Sequence, residues 1–150
     1  MSAIGFRHDW EAKLPIETSD ETFIVAENDS QMRGVLRGML QQPGRTLLLC
    51  ADGTEALELA SHTLANLVLL DLRMPRMDGI EACRRIRELP RYGNVPIAIQ
   101  TVFDDDAHKR RAMRAGASAF LSKPISRDQL LLAVNPLIAA HKRTPDRARG

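Results

Sequence analysis

Residues 67–79 read LVLLDLRMPRMDG, and the fold turns on the first five of them. Leu67, Val68, Leu69 and Leu70 are four aliphatics in a row, followed by a loop that contains Pro75 and Gly79. A strand with one wet face alternates apolar and polar side chains. An unbroken apolar run predicts instead a strand buried on both faces, as in a parallel sheet covered by helices. Asp71 stands at the carboxyl end of that run. Open α/β sheets place their ligand sites outside the carboxyl ends of their strands. Taken alone, Asp71 reads as an aspartate that starts a turn. Its meaning depends on what the other strands deliver to the same edge.

Outward from this segment the chain alternates strand-like and helix-like blocks. Upstream, Thr22–Ala26 (TFIVA) predicts a strand, and Ser30 is the expected cap of a helix whose inward positions are Met32, Val35, Leu36, Met39 and Leu40. Pro43 and Gly44 stop that helix, RTLLLC (45–50) predicts a second strand, and residues 53–61 a helix with Ala56, Leu57 and Ala60 inward. Downstream of the third strand, Asp78 caps a helix over 80–89 with Cys83 and Ile86 inward, and PIAIQ (96–100) predicts the fourth strand. A charged helix over 105–115 ends at Gly116, residues 119–122 form a short fifth strand, and 127–140 a last helix with Leu130, Leu131, Val134, Leu137 and Ile138 inward. Pro136 falls inside this helix, where it removes a hydrogen bond to Leu132 and biases Asn135 away from helical angles. A kink or two shorter helices are expected there. Strands alternating with helices imply an α/β, doubly wound five-stranded parallel sheet with helices on both faces.

A chain of 150 residues, 44% hydrophobic and 27% charged, suits one domain with its own core. A net charge of +2 makes no global demand for nucleic acid or membrane. Cys50 and Cys83 lie in apolar patterns without metal-ligand spacing, so buried thiols in a reducing cytoplasm are expected. No apolar signal region or bilayer-length stretch is visible. Residues 1–20, with Ile4, Phe6, Trp10, Leu14 and Ile16 scattered among polar residues, read as an N-terminal arm, flexible or loosely docked. Residues 21–141 form the domain, and 142–150 a basic C-terminal tail without aromatics for base stacking. The Asp104–Asp106 run reads as a helix cap, and Lys109, Arg110, Arg111 and Arg114 as a solvated face.

The strand ends deliver Glu27, Asn28 and Asp29, then Asp71, then Thr101, then Lys123 and Pro124. In a doubly wound sheet these residues converge on one edge. Two crowded carboxylates, Glu27 and Asp71, repel each other, and Mg2+, a hard cation that keeps several waters, relieves the repulsion. Lys123 brings a point charge for phosphate oxygens and Thr101 a hydroxyl donor. Acid, hydroxyl and ammonium around one aspartate make a phosphoryl-transfer site.

At these residues the chain resembles the response-regulator receiver domain of two-component signalling, through IVAEND, LVLLDLRMPRMDG, PIAIQT and GASAFLSKP in order, from about Thr22 to Ala140. The resemblance implies a flavodoxin-like (βα)5 fold with strand order 2-1-3-4-5. It implies that Asp71 accepts a phosphoryl group from a histidine kinase or phosphotransfer protein. It implies that Glu27, Asp71 and the main-chain carbonyl of Arg73 hold Mg2+, and that Thr101 and Lys123 hold the phosphoryl group. Phe120 matches the aromatic whose rotamer reports the switch, and Pro124 a proline often preceded by a cis peptide. Output would pass to a downstream protein target or a homodimer through the last two helices and the fifth strand, with no direct nucleic-acid or membrane partner. Such a domain is a signalling phosphoacceptor that catalyses only its own phosphorylation and dephosphorylation.

One position departs from the family pattern. Receivers carry two acidic residues after the first strand, and here the second is Asn28. Sliding the alignment to recruit Asp29 would turn the strand's side chains to the wrong faces, so Glu27-Asn28 is the expected pair. A neutral amide weakens Mg2+ binding, directly or through water, and also relieves repulsion on Asp71. Asn28 motivates an alternative, a pseudo-receiver that docks partners without phosphorylation. A small phosphatase on the same fold is disfavoured, because Arg73 stands where a DxD nucleophile-plus-acid pair needs its second aspartate.

Overall fold

The computed structural model describes residues 20–143. In chain order the elements are β1 Glu21–Ala26, α1 Ser30–Leu40, β2 Arg45–Cys50, α2 Gly53–His62, β3 Leu67–Asp71, α3 Gly79–Arg87, β4 Ile97–Thr101, α4 Asp106–Arg114, β5 Ala119–Ser122 and α5 Arg127–Arg143. The strands form a single parallel sheet in the order β2-β1-β3-β4-β5. The expected strand order and fold class are therefore observed.

β3 occupies the middle of the sheet, and all five of its residues are buried. This is why its sequence lacks alternation: Val68 and Leu70 face a core under α2, α3 and α4 with Ile80, Cys83 and Ile86. Leu67 and Leu69 face a second core under α1 and α5 with Leu36, Leu40, Leu130, Val134 and Ile138. Both cysteines are buried and unpaired.

Three expectations need correction. Ser30 does not cap α1; it is the first helical residue, and Asp29 caps, its carboxylate accepting from the Gln31 and Met32 N–H groups. An anionic oxygen opposite the positive end of the helix is the stronger cap. Val35 is not inward but 47% exposed. The face that meets the sheet runs through Leu36 and Leu40, and Val35 lies about 100° around the helix from Leu36. Pro136 does not divide the last helix, which runs continuously from Arg127 to Arg143 and so extends past residue 141. Leu130, Val134 and Ile138 recur every four residues and fasten this helix to the sheet. Pro136 itself is exposed, and Leu132, whose carbonyl loses its partner, is 76% exposed, so the missing bond falls on the solvent side. The other helix and strand limits differ from the expected ones by one or two residues, the usual fraying range. The N-terminal arm and most of the tail lie outside the described residues.

Candidate functional site at the carboxyl edge of the sheet

Four strands deliver the site. β1 ends at Ala26 and hands on Glu27, whose N–H bonds the Cys50 carbonyl of β2 at 3.0 Å. β3 ends on Asp71, and β4 on Thr101. β5 ends at Ser122, the register partner of Thr101, and the Lys123 N–H bonds the Thr101 carbonyl at 2.9 Å. Residues spread over nearly a hundred positions of chain thus meet at one edge. The Lys123 Nζ lies 2.9 Å from Asp71 Oδ1 and 3.0 Å from Glu27 Oε1. The ammonium spans the two carboxylates. The Lys123–Pro124 peptide is cis.

The charges do not balance. Glu27 and Asp71 bring two negative charges, and Lys123 one positive. Burial pushes the Asp71 carboxyl above its usual range, the bond from Lys123 pulls it back, and the neighbouring charge of Glu27 raises it again. Burial alone would depress the Lys123 ammonium, but its bonds to Asp71 and Glu27 outweigh that and hold it above the usual lysine value. Sharing one ammonium between two acids explains why the acid is under-compensated while the base is over-held. The remaining negative charge is a demand for a cation.

The residues the sequence brought forward do not all contribute side chains. Glu27 is 2% exposed and Thr101 1% exposed. Asn28 is exposed, and Asp29 is committed to capping α1 while its N–H bonds Glu27 Oε2. Glu27 is thus the residue after β1 whose carboxylate meets Lys123, while Asn28 and Asp29 lie exposed. The Thr101 Oγ1 accepts the Phe103 N–H at 2.9 Å, which leaves its own proton free to donate. Phe120 is half-buried on β5 opposite Ile99 and packs on the core face of Ile99, the face that Thr101 shares two residues on.

The loop after Asp71 is braced from α2. Arg76 sits in the left-handed region at φ 65°, and its guanidinium bonds the carboxylate of Asp52. Asp52 is fully buried and also caps α2 through the Glu55 N–H. A left-handed non-glycine costs about 1–2 kcal/mol, and the bond to Asp52 fastens the loop in that conformation. Gly53 N–H bonds the Met77 carbonyl at 3.1 Å, and Gly79 N–H the Leu72 carbonyl at 2.8 Å. A Cβ on Gly79 would strike the Asp71 carbonyl. Across the mouth, the Arg73 guanidinium lies 4.4 Å from the centre of the Phe103 ring. None of these bracing contacts was foreseen from the sequence. The Asp52-Gly53 pair, separated by one residue from the end of a strand, was the available signal.

Among the described residues no group of three His, Cys, Asp or Glu side chains is placed to hold a metal ion. The acids gathered here, Glu27 and Asp71, offer hard carboxylate oxygens with one negative charge that Lys123 leaves uncompensated. That set fits a cation that retains most of its water, as Mg2+ does.

The family model described as the response regulator receiver domain matches residues 23–135. The chain belongs to the response-regulator receiver family. The receiver is 34% identical over 127 residues to response regulator MprA of Mycolicibacterium vanbaalenii, covering 85% of this chain and 53% of that protein. The receiver thus spans about half the length of that relative. An uncharacterized 14.6 kDa protein of Leptolyngbya boryana is 32% identical over 111 residues, 74% of this chain and 85% of that one. Among solved structures, the receiver domain of the sensor histidine kinase PA1611 of Pseudomonas aeruginosa, with a magnesium ion coordinated in its active-site cleft, superposes with a TM-score of 0.74 at 27% identity, over 81% of this chain and 99% of that one. A CheY-like receiver domain protein of Methanospirillum hungatei gives a TM-score of 0.78 at 20% identity, over 83% of this chain and 98% of that one, a likeness of fold.

Proposed function

We propose that this receiver takes a phosphoryl group on Asp71 from a histidine kinase or phosphotransfer protein and uses it to switch a protein-contact surface. The observation that carries the reading is the Lys123 ammonium lying within 3.0 Å of both the Asp71 and Glu27 carboxylates at the sheet edge. Asp71 is the nucleophile. Lys123 and the free Thr101 proton receive the charged oxygens of the transferred group. Mg2+ would be held by Glu27, Asp71 and the Arg73 carbonyl, with Asn28 reaching it at most through water, and when bound it neutralises charge on the phosphoryl oxygens. The magnesium in the cleft of the Pseudomonas neighbour supports this assignment.

Drawing Thr101 toward the phosphoryl group changes the space beside Phe120 on the same face of the sheet. The new contacts to phosphate then bias the surface formed by α4, β5 and α5. That surface meets a downstream protein or a second copy of the chain. The receiver is a stoichiometric phosphoacceptor, with the signalling unit running from residue 21 to the end of α5 at Arg143. No helix among the described residues is long and apolar enough to cross a membrane. We place the receiver in the cytoplasm, where its two buried free thiols stay reduced.

The test is chemical. Incubation with acetyl phosphate and Mg2+ should yield an acid-stable, base-labile adduct that disappears in Asp71→Asn. Absence of the adduct, with acetyl phosphate and with candidate kinases alike, would favour the docking module that Asn28 suggests.

A further inference from the structure

Gln100 is a buried polar side chain that the site as described leaves unused. It lies in β4 among Ile97, Ala98, Ile99 and Thr101, and it is 1% exposed. Across the β3–β4 ladder it is the register partner of Asp71. Partners on adjacent strands present their side chains to the same face, and the strands run about 4.8 Å apart. The face is the one under α1 and α5, which carries Leu69 two residues before Asp71 and Ala98 two residues before Gln100. The Gln100 Nε2 has no hydrogen-bond partner among the described residues. Buried amide donors without acceptors are costly and uncommon, and this one stands beside a carboxylate with charge to spare.

We propose that the Gln100 amide is a positioning donor for the Asp71 carboxylate, engaged when Lys123 is drawn onto a phosphoryl group. The inference rests on the phosphoacceptor reading above. With acetyl phosphate, an Asp71 oxygen attacks phosphorus, the bond from phosphorus to the acetyl oxygen breaks, and acetate leaves with the electron pair. No proton has to move. Before transfer, Lys123 holds Asp71 Oδ1 and Glu27 Oε1. The incoming phosphoryl oxygens compete for that ammonium. The carboxylate oxygen it releases becomes a buried acceptor next to a buried donor. In the resting site Lys123 already serves that oxygen, and in the aspartyl phosphate the carboxyl is esterified and uncharged. In the transition states for formation and for hydrolysis it bears partial negative charge. The amide thus stabilises the transition states more than either stable state, which accelerates both steps.

The test is Gln100→Met, of similar length without the donor, with Gln100→Leu as a second apolar variant. Labelling by acetyl phosphate with Mg2+ and spontaneous loss of the label should both slow about tenfold, a modest loss for one donor at a reacting centre. The melting temperature should rise, because the orphaned donor is gone. Gln100→Glu, which sets a third carboxylate beside Asp71, should label more slowly still. Wild-type rates in both apolar variants would overturn the proposal, as would slowed rates together with a lowered melting temperature, which would mark simple damage to the fold. A wild type that takes no label from acetyl phosphate or from candidate kinases overturns the phosphoacceptor reading itself. A wild type that labels normally beside equally fast variants overturns only the role of Gln100.

Discussion

At the residue scale, the site is governed by an imbalance of one charge. Asp71 has its carboxyl raised, first by burial and then by Glu27. A native pKa above the unfolded one means that the folded state binds the proton more tightly, so stability falls as pH rises through the window between the two values. Asp71→Asn should therefore stabilise the protein at pH 7, by on the order of 1 kcal/mol, and the gain should vanish as pH falls below the unfolded carboxyl value. Thermal melts of both proteins from pH 3 to pH 8 would show it, and an equal gain at both ends of that range would refute the charge argument. Position 28 tests the cation side of the same imbalance. Asn28→Asp should tighten Mg2+ binding about tenfold, since an anion replaces a neutral amide near the ion. Titration calorimetry giving equal affinities would mean that the side chain at 28 does not reach it. Glu27, Asp71, Thr101 and Lys123 were all legible in sequence, because each follows an apolar strand. Asp29 was misjudged in favour of Ser30, because both are good caps and only the backbone path decides between them. Gln100 escaped notice, because sequence does not show which neighbour a side chain on a central strand will meet.

At the element scale, the loops on the far side of the sheet are held by single polar side chains. The buried Tyr92 hydroxyl accepts the Ala65 N–H at 2.9 Å and donates to the Thr63 carbonyl at 2.6 Å, joining the α2–β3 connection to the α3–β4 one. Tyr92→Phe leaves the Ala65 N–H without its acceptor and should cost about 1–3 kcal/mol in denaturant unfolding with an unchanged m value. A loss below a few tenths of a kcal/mol would mean that water replaces the hydroxyl. Nearby, the Arg87 guanidinium bonds the Gly116, Tyr92 and Val95 carbonyls and the Ser118 hydroxyl, tying α3 to the turn before β5. Strands and helices were legible to within a residue or two, from the period of their apolar residues. Of the kink or division expected at Pro136, the division does not occur: three core residues four positions apart hold the helix continuous against local propensity.

At the scale of the whole molecule, the helices over one face of the sheet are unequally anchored near the site. α4 buries only Ala112, whereas α3 buries Gly79, Ile80, Ala82, Cys83 and Ile86. A helix with so little buried area opens at low free energy. On phosphorylation, amide hydrogen exchange should therefore change most in α4 and β5 and least in β1 and β3. A uniform change across the sheet would exclude a localised switch. The sequence by itself determined the α/β class, the number of strands and which residues stand at their carboxyl ends, because apolar periodicity and turn residues are local properties of the chain. Tertiary structure alone decided that Lys123 reaches both acids, that Arg76 braces its loop against Asp52, and that Gln100 lies beside Asp71. Those contacts join residues 24 to 96 positions apart, and their distances follow from strand order, register and packing together.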